Sequence, residues 1–130
     1  MWGKIRLDKS DAEFSKYIRL RDGACVRCGK RGTNTVDGLP IKGLQCSHYL
    51  SRGRENTRFD PENCDALCAG CHQHWGSADK EGYRDFKLKQ LGQEKFNLLL
   101  VRGRLYCKRD RKMALIRAKV LLEELKKDAV

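Results

Sequence analysis

The chain has 130 residues, which suits one domain with a modest hydrophobic core. Its 28 Lys and Arg against 17 Asp and Glu give a net charge of +11, which favours a polyanionic partner, most simply nucleic acid, with acidic lipid as the alternative. No stretch approaches the roughly 20 apolar residues that span a bilayer, and residues 1–4 lack the apolar segment of a secretory signal, so we expect a cytoplasmic protein without a membrane partner.

The first predicted element is a helix over residues 8–20, followed by a pair of cysteines. Ser10 and Glu13 have the spacing of a capping box, and apolar residues recur on one face of the segment. Cys25 and Cys28 come next and have the spacing of a tight turn that directs two thiolates at one metal ion. This pair predicts one half of a zinc site.

Two short strands are predicted next, one on each side of an arginine-rich loop. Residues 30–43 contain few apolar side chains and indicate a loop or an irregular hairpin. A strand over 44–50 carries His48, and its predicted partner covers 63–68. The loop between the strands carries three guanidinium groups that suit a phosphate backbone: Arg52, Arg54 and Arg58.

The rest of the chain is predicted to be helical. A helix that begins after Cys71 would place His72 in its first turn, facing the strands. Three further helices, the first two followed by a glycine, are predicted over residues 79–91, 93–102 and 110–127. The last has an apolar stripe and many basic residues, which fits either a solvated helix that covers the core or a basic arm or dimer seam.

Seven cysteines in a reducing compartment favour metal ligands over disulfides, and the odd number weakens a disulfide framework further. Two Cys-x-x-Cys pairs separated by a hairpin-sized insertion predict a closed, structural four-thiolate zinc site. Its ligands are Cys25, Cys28, Cys68 and Cys71. Cys46 or Cys64 could replace one of these, but small core residues on paired strands are the favoured interpretation.

The remaining polar candidates follow the order His48, Asn63, His72. A single histidine on an apolar strand is usually structural. Here, however, one histidine lies on a strand, an asparagine opens the next strand and a second histidine follows a zinc knuckle, which is the order of a hairpin-plus-helix nuclease site. The pattern therefore predicts phosphodiester hydrolysis. His74 is interpreted as a surface or helix-capping residue, with assistance to a metal ion as the alternative.

The sequence from Cys68 to His72, taken with His48 and Asn63, resembles the HNH, or ββα-metal, endonuclease superfamily. A narrower resemblance, to the phage recombination proteins called NinG or Rap, extends over nearly the whole chain. It is carried by residues 14–22, 25–29, 45–49, 58–63, 68–71 and 82–92. This resemblance implies an α+β fold of one domain, with an N-terminal helix over 1–22, a small zinc-stapled ββα-metal core over 23–78 and a basic helical tail over 79–130.

The resemblance also implies an activity, namely a metal-dependent DNA endonuclease that acts on branched recombination intermediates such as Holliday junctions or D-loops. In the family's terms His48 is the general base that activates water, and His72 holds a catalytic Mg²⁺ or Mn²⁺ ion. Asn63 would brace the hairpin loop and orient His48 through a backbone hydrogen bond. Many HNH enzymes have an Asp or His before the base, but this chain has Ser47 there, so the second ligand of the cation stays open.

Other functions remain compatible with these residues. One is a nonspecific nicking endonuclease, and another is a zinc-stabilised DNA-binding protein that does not cut. One of the three loop arginines would stabilise the transition state, or all three would only hold backbone phosphates. Two active sites are needed to cut both strands of a symmetric junction, so a homodimer formed by the tail helices is also compatible with the sequence. A phage-encoded protein would act in the cytoplasm of the bacterial host.

Overall fold

The computed structural model describes residues 6–128, which form a mixed α+β fold, as predicted. The helices are α1 (Lys9–Asp22), α2 (Glu55–Arg58), α3 (Ala69–Gln73), α4 (Lys80–Leu91), α5 (Gln93–Arg104) and α6 (Arg111–Asp128). The strands are β1 (Thr33–Asn34), β2 (Pro40–Lys42), β3 (Gln45–His48) and β4 (Cys64–Leu67). A 3₁₀ turn at Pro61–Asn63 precedes β4, and a π-helical turn at His74–Ala78 continues α3.

The opening residues, in which no secretory segment is expected, lie outside the described residues, as do the outer ends of the predicted 1–22 and 79–130 segments. Among the described helices, none combines the length and the apolar character that crossing a bilayer requires.

Helix α1 begins at a different cap from the predicted one. The carboxylate of Asp8 accepts a hydrogen bond from the backbone N–H of Asp11, and Asp11 accepts one in return from the N–H of Asp8. The predicted capping box of Ser10 and Glu13 is therefore wrong, because the reciprocal pair lies two residues earlier. Gly23 ends the helix in the left-handed conformation, with φ of 66°.

Two antiparallel hairpins follow α1. The stretch predicted as a loop or an irregular hairpin contains β1 and β2, which pair with a shift in register. In the second hairpin His48 of β3 lies opposite Cys64 of β4, and Cys46 lies opposite Ala66. Because side chains alternate between the faces of a strand, Cys46, His48 and Cys64 share one face. The loop that joins β3 to β4 was predicted without a helix, but it contains α2.

Helix α5 holds the β3–β4 loop in place. It continues to Arg104, so the prediction that Gly103 stops this helix is wrong. A Cβ atom on Gly103 would lie 2.4 Å from Cδ1 of Leu50, so the glycine permits close packing of α5 against the end of β3. The side chain of Asn56 donates to the carbonyl oxygen of Arg102 over 2.8 Å, which ties α2 to the same helix.

Helix α6 lies along α1 and covers the core, which was the first of its two predicted roles. Ala114, Ala118 and Leu122 are buried on its inner face. Arg111 at its start forms an ion pair with Glu55 of α2 over 2.8 Å and another with Asp8. The first and last helices are therefore joined to the loop that leads to the candidate site.

A buried polar network fixes α4 to β4. Asp65 and Lys87 are both fully buried, and their charged atoms lie 3.1 Å apart. Tyr83 donates to one carboxylate oxygen of Asp65 over 3.0 Å, and Gln90 donates to the other over 3.0 Å. Each buried charge is thus paired and hydrogen-bonded, as a low-dielectric interior requires.

Candidate metal centre and cleft

The four predicted zinc ligands lie together in the structure. The Sγ atoms of Cys25, Cys28, Cys68 and Cys71 are all within 4.8 Å of one another. The Sγ atoms of Cys28 and Cys68 are 3.8 Å apart, and tetrahedral zinc with Zn–S bonds of about 2.3 Å requires S–S separations of about 3.8 Å. The cluster can therefore hold a structural metal such as zinc.

The electrostatics of this cluster also suit a cation. Burial disfavours the thiolate of Cys25, but backbone N–H groups, first that of Cys28, outweigh burial and lower its pKa to about 6. The backbone N–H of Cys71 lowers the pKa of Cys68. Burial raises the pKa of Cys71 to about 12, and the neighbouring thiols act in the same direction. Four thiolates this close together need a cation among them.

The cysteine cluster determines where α3 begins. The backbone N–H of Val26 donates to the carbonyl oxygen of Ala66 over 3.0 Å, so the first cysteine turn is attached to β4. Cys68 is the N-cap of α3, and its carbonyl oxygen accepts from the N–H of His72 over 2.8 Å. Helix α3 begins before Cys71 instead of after it, but His72 still lies in the first turn, as predicted.

His48 is half-buried and held in one tautomer. Its Nε2 lies 2.8 Å from the carbonyl oxygen of Arg58, and because a carbonyl can only accept, Nε2 carries the proton and Nδ1 keeps its lone pair. Burial, and then the positive charge of Arg52, lower the pKa of His48 to about 4. The ring is therefore neutral at physiological pH.

His72 is oriented by a side chain on β3. Its Nδ1 lies 2.6 Å from Oε1 of Gln45, so Nδ1–H donates and Nε2 stays available as a metal ligand. Burial lowers the pKa of His72, and the charge of Arg52 adds to this effect. The neutral form, which binds metal ions, is thus favoured.

The two histidines line a common cleft with one arginine. A cavity of about 370 Å³ is bordered by His48, His72 and Arg52, and an adjoining cavity of about 750 Å³ is also bordered by both histidines. Within residues 6–128, no hydrogen-bond partner meets the buried Nε of Arg52. The cleft therefore combines two neutral imidazoles with a cationic group that can bind an anion.

The family model described as "Bacteriophage Lambda NinG protein" matches residues 6–128. The chain belongs to the NinG family. It has no match among curated proteins or among solved structures. The NinG match covers the cysteine cluster and both cleft histidines, so the narrower of the two sequence resemblances is confirmed at the level of the family.

In this NinG-family chain Asn63 joins the two ends of the β3–β4 loop. It is fully buried, its Oδ1 accepts from the N–H of Leu50 over 2.8 Å, and its Nδ2 donates to the carbonyl oxygens of Leu50 and Thr57, each over 3.0 Å. These bonds suit the predicted bracing role. The ring of His48, however, is oriented by the carbonyl oxygen of Arg58. Asn63 reaches this part of β3 through its backbone carbonyl oxygen, which accepts from the N–H of Tyr49, the residue after His48.

The three loop arginines have different environments. Arg52 lines the cleft, whereas Arg54 is exposed and directs Nη1 toward the carbonyl oxygen of Gly103, 3.4 Å away. The environment of Arg58 does not fit the prediction that this residue binds DNA. It is 3% exposed, and its guanidinium donates to both carboxylate oxygens of Asp11 over 2.9 and 2.7 Å. A group held in this way is part of the framework and cannot reach a phosphate.

The structure also places the residues whose roles were left open. Ser47 is buried on the opposite face of β3 from His48, and it borders only the larger cavity. Nε2 of His74 lies 3.6 Å from a carboxylate oxygen of Asp79, but the side chain that caps α4 is that of Asp79, so the partly exposed His74 suits the surface interpretation. Cys46 and Cys64 are buried in the core and lie outside the four-cysteine cluster, so neither takes the place of one of its four candidate ligands.

Gln45 and Asp11 are site residues that the sequence did not reveal. Gln45 begins β3 and orients His72, while Asp11 in α1 neutralises Arg58. Both pairs join residues far apart in sequence, so no local spacing marks them. The available signals were the position of Gln45 on the same predicted strand as His48 and its place in the 45–49 segment of the family resemblance, and neither assigned it a role.

Proposed function

We propose that this NinG-family chain is a metal-dependent DNA endonuclease of the HNH, or ββα-metal, type, whose zinc-bound cysteines support the site. The observation that supports this most strongly is the cleft in which His48 offers a free Nδ1 and His72 a free Nε2 beside Arg52. Two imidazoles with different free nitrogens can divide the work of a general base and a metal ligand. A protein that only binds DNA needs neither.

His48 is the general base in this proposal. Its pKa of about 4 keeps the ring deprotonated at physiological pH, and the bond from Nε2 to Arg58 leaves Nδ1 as the proton acceptor. A water molecule on the cleft side of Nδ1 would lose its proton to the ring and attack the scissile phosphorus. General bases contribute about 100- to 10,000-fold to such reactions.

His72 is the ligand of the catalytic cation, for which Mg²⁺ or Mn²⁺ is the expected ion. The residues present fit this role in part, because Gln45 directs Nε2 of His72 away from β3, while Ser47, which occupies the position of a second ligand, lies on the far side of the strand. Phosphate oxygens and water would complete the shell, as a hard cation allows. The ion would stabilise negative charge on the departing 3′ oxygen.

Arg52 would stabilise the pentavalent phosphorus in the transition state. Its charge already acts on both histidines, and its Nε has no partner among the described residues. A guanidinium beside the reacting phosphate stabilises the negative charge that develops on its oxygens. Arg54 is exposed on the same loop and suits a contact with the DNA backbone.

Branched recombination intermediates are the proposed substrates, and this part rests on the family. The net charge of +11 supports an affinity for DNA in general, with binding that weakens steeply as salt rises. Junction preference, action during phage recombination in the cytoplasm of the bacterial host, and a dimer with two active sites belong to the same proposal.

The direct test is nicking of supercoiled plasmid by zinc-loaded protein with added Mg²⁺ or Mn²⁺. We expect His48→Ala to slow nicking by about 100-fold or more while DNA affinity changes little, and Arg52→Ala to slow nicking by as much while also weakening DNA binding. We expect His72→Ala to raise the concentration of Mg²⁺ needed, and His74→Ala, a histidine two positions away, serves as its matched control. Nicking by His48→Ala at the wild-type rate would refute the assignment.

A further inference from the structure

A second group of metal-binding side chains lies on the β3–β4 hairpin, apart from the four-cysteine cluster. Three residues each offer one ligand atom, and the three atoms all lie within 4.8 Å of one another: Cys46, His48 and Cys64. The strand register explains the grouping, because His48 lies opposite Cys64 and Cys46 precedes His48 by two residues on the same face. The proposed nuclease chemistry uses the imidazole and leaves both thiols without a role.

We propose that these three residues bind one thiophilic divalent cation, with Zn²⁺ as the biological ion, and that this binding switches the nuclease off. Two sulfurs and one imidazole nitrogen form a soft ligand set, which selects zinc or cadmium over Mg²⁺ and Mn²⁺. Three protein ligands leave a fourth coordination position open. The site therefore differs from the closed four-thiolate cluster, where no position is open.

The geometry needs only a small adjustment to accept the ion. Tetrahedral zinc, with bonds of about 2.3 Å to sulfur and about 2.0 Å to nitrogen, requires S–S and S–N separations of about 3.8 and 3.5 Å. The present separations reach 4.8 Å at most, so the side chains would move together by roughly 1 Å. Cys64 is fully buried and Cys46 is 5% exposed, which shields a bound ion on the core side.

The cation has a route to this site from the cleft. Cys46 and His48 both border the cavity of about 370 Å³ that also contains His72 and Arg52. The open coordination position would face this cavity, where water is the simplest fourth ligand. A metal ion could thus enter and leave without unfolding of the hairpin.

Inhibition follows from competition for one nitrogen, and this step rests on the proposed function. Nε2 of His48 is bonded to the carbonyl oxygen of Arg58, so Nδ1 is the nitrogen available both to the metal ion and to the proton of the attacking water. A lone pair that coordinates Zn²⁺ cannot accept a proton. Excess zinc should therefore stop cleavage, although zinc in the four-cysteine cluster supports the fold.

The binding step is tested by counting metal ions, without DNA. Zinc bound to purified protein is measured by native mass spectrometry and by competition with a chromophoric chelator, and Co²⁺ substitution reports the thiolates through charge-transfer bands. We expect two equivalents for the wild type and one for Cys46→Ala. Cys107→Ala is the matched control, because Cys107 lies outside both groups, and it should retain two. Circular dichroism checks that each variant is folded.

One equivalent of zinc in the wild type, or two in Cys46→Ala, would overturn the site.

The inhibition step is tested by plasmid nicking at fixed Mg²⁺, while free Zn²⁺ is raised above the level that fills the four-cysteine cluster. We expect at least a 10-fold loss of rate in the wild type and in Cys107→Ala, and little change in Cys46→Ala. A wild type that binds two ions and cuts undiminished would overturn the switch. A protein that never cuts would refute the nuclease, while the metal count would still decide the site.

Discussion

Replacing Lys87 with methionine should destabilise the protein strongly, because it leaves the buried carboxylate of Asp65 without its cation. Both side chains are fully buried, and their charged atoms are 3.1 Å apart. Breaking a buried ion pair by removing one partner costs about 3 to 5 kcal/mol. Since Tyr83 and Gln90 still donate to Asp65 in the variant, we expect the lower end, about 3 kcal/mol.

The assay is urea unfolding at constant free zinc, so that metal binding contributes equally to each protein. With an m value of about 2 kcal/mol/M, the expected loss corresponds to a midpoint about 1.5 M lower. Lys89→Met is the matched control, since Lys89 is exposed on the same helix. A double variant, Lys87→Met with Asp65→Asn, removes both charges and should recover much of the loss. A single variant within 1 kcal/mol of the control, or strictly additive losses in the double variant, would refute the reasoning.

Three further predictions concern the site. An NMR titration should place the pKa of His48 at about 4, and Arg52→Ala should raise that pKa. Because the ring is neutral in the folded protein, the stability that it contributes is lost as pH falls from about 6.5 toward 4. A wild-type pKa near 6.5 would contradict the burial argument. Cys68→Ser should release zinc and unfold the domain, as followed by metal analysis and circular dichroism, and a stable, zinc-free variant would exclude a structural metal there. Gln45→Ala should weaken the binding of the catalytic cation by about 10-fold or more, while Gln45→Glu should retain it, as measured from the Mg²⁺ concentration that nicking requires. If both variants required the same Mg²⁺ concentration, Gln45 would not orient His72.

The four clustered cysteines and the two cleft histidines could be predicted by residue number, because their signals are local. Cys-x-x-Cys spacing is a property of four consecutive residues, and the fold then brings two such pairs together. His48 could likewise be placed on a short strand, and His72 in the first turn of a helix, from flanking glycines and cysteines. The family resemblance carried the same residues.

The environment of each arginine could not be predicted, because it depends on residues distant in the chain. Arg52, Arg54 and Arg58 look alike within one basic loop. Arg58 is buried because Asp11, 47 residues earlier, neutralises it from α1. A sequence pattern contains no information on that pairing, so the three guanidinium groups could not be separated.

Two local signals were ambiguous in a way that only packing resolves. Residues 8–11 and 10–13 both have the spacing of a capping box, and the structure uses the first. Gly103 has the form of a helix stop, but α5 continues through it to Arg104, and the absence of a side chain there makes room for Leu50. The α6 stripe, in contrast, was predicted with its alternatives, and its contact with α1 supports the covering role.

The central claim is that His48 acts as the base of an endonuclease in the cleft it shares with His72. The most direct test is single-turnover cleavage of a labelled four-way junction beside a matched linear duplex, with Mg²⁺ or Mn²⁺ and zinc-loaded protein, comparing the wild type with His48→Ala. We expect the wild type to cut the junction faster than the duplex, and His48→Ala to bind the junction normally but cut it at least about 100-fold more slowly. Tight binding without cleavage of either DNA by the wild type would contradict the claim and make the chain a zinc-stabilised DNA-binding protein.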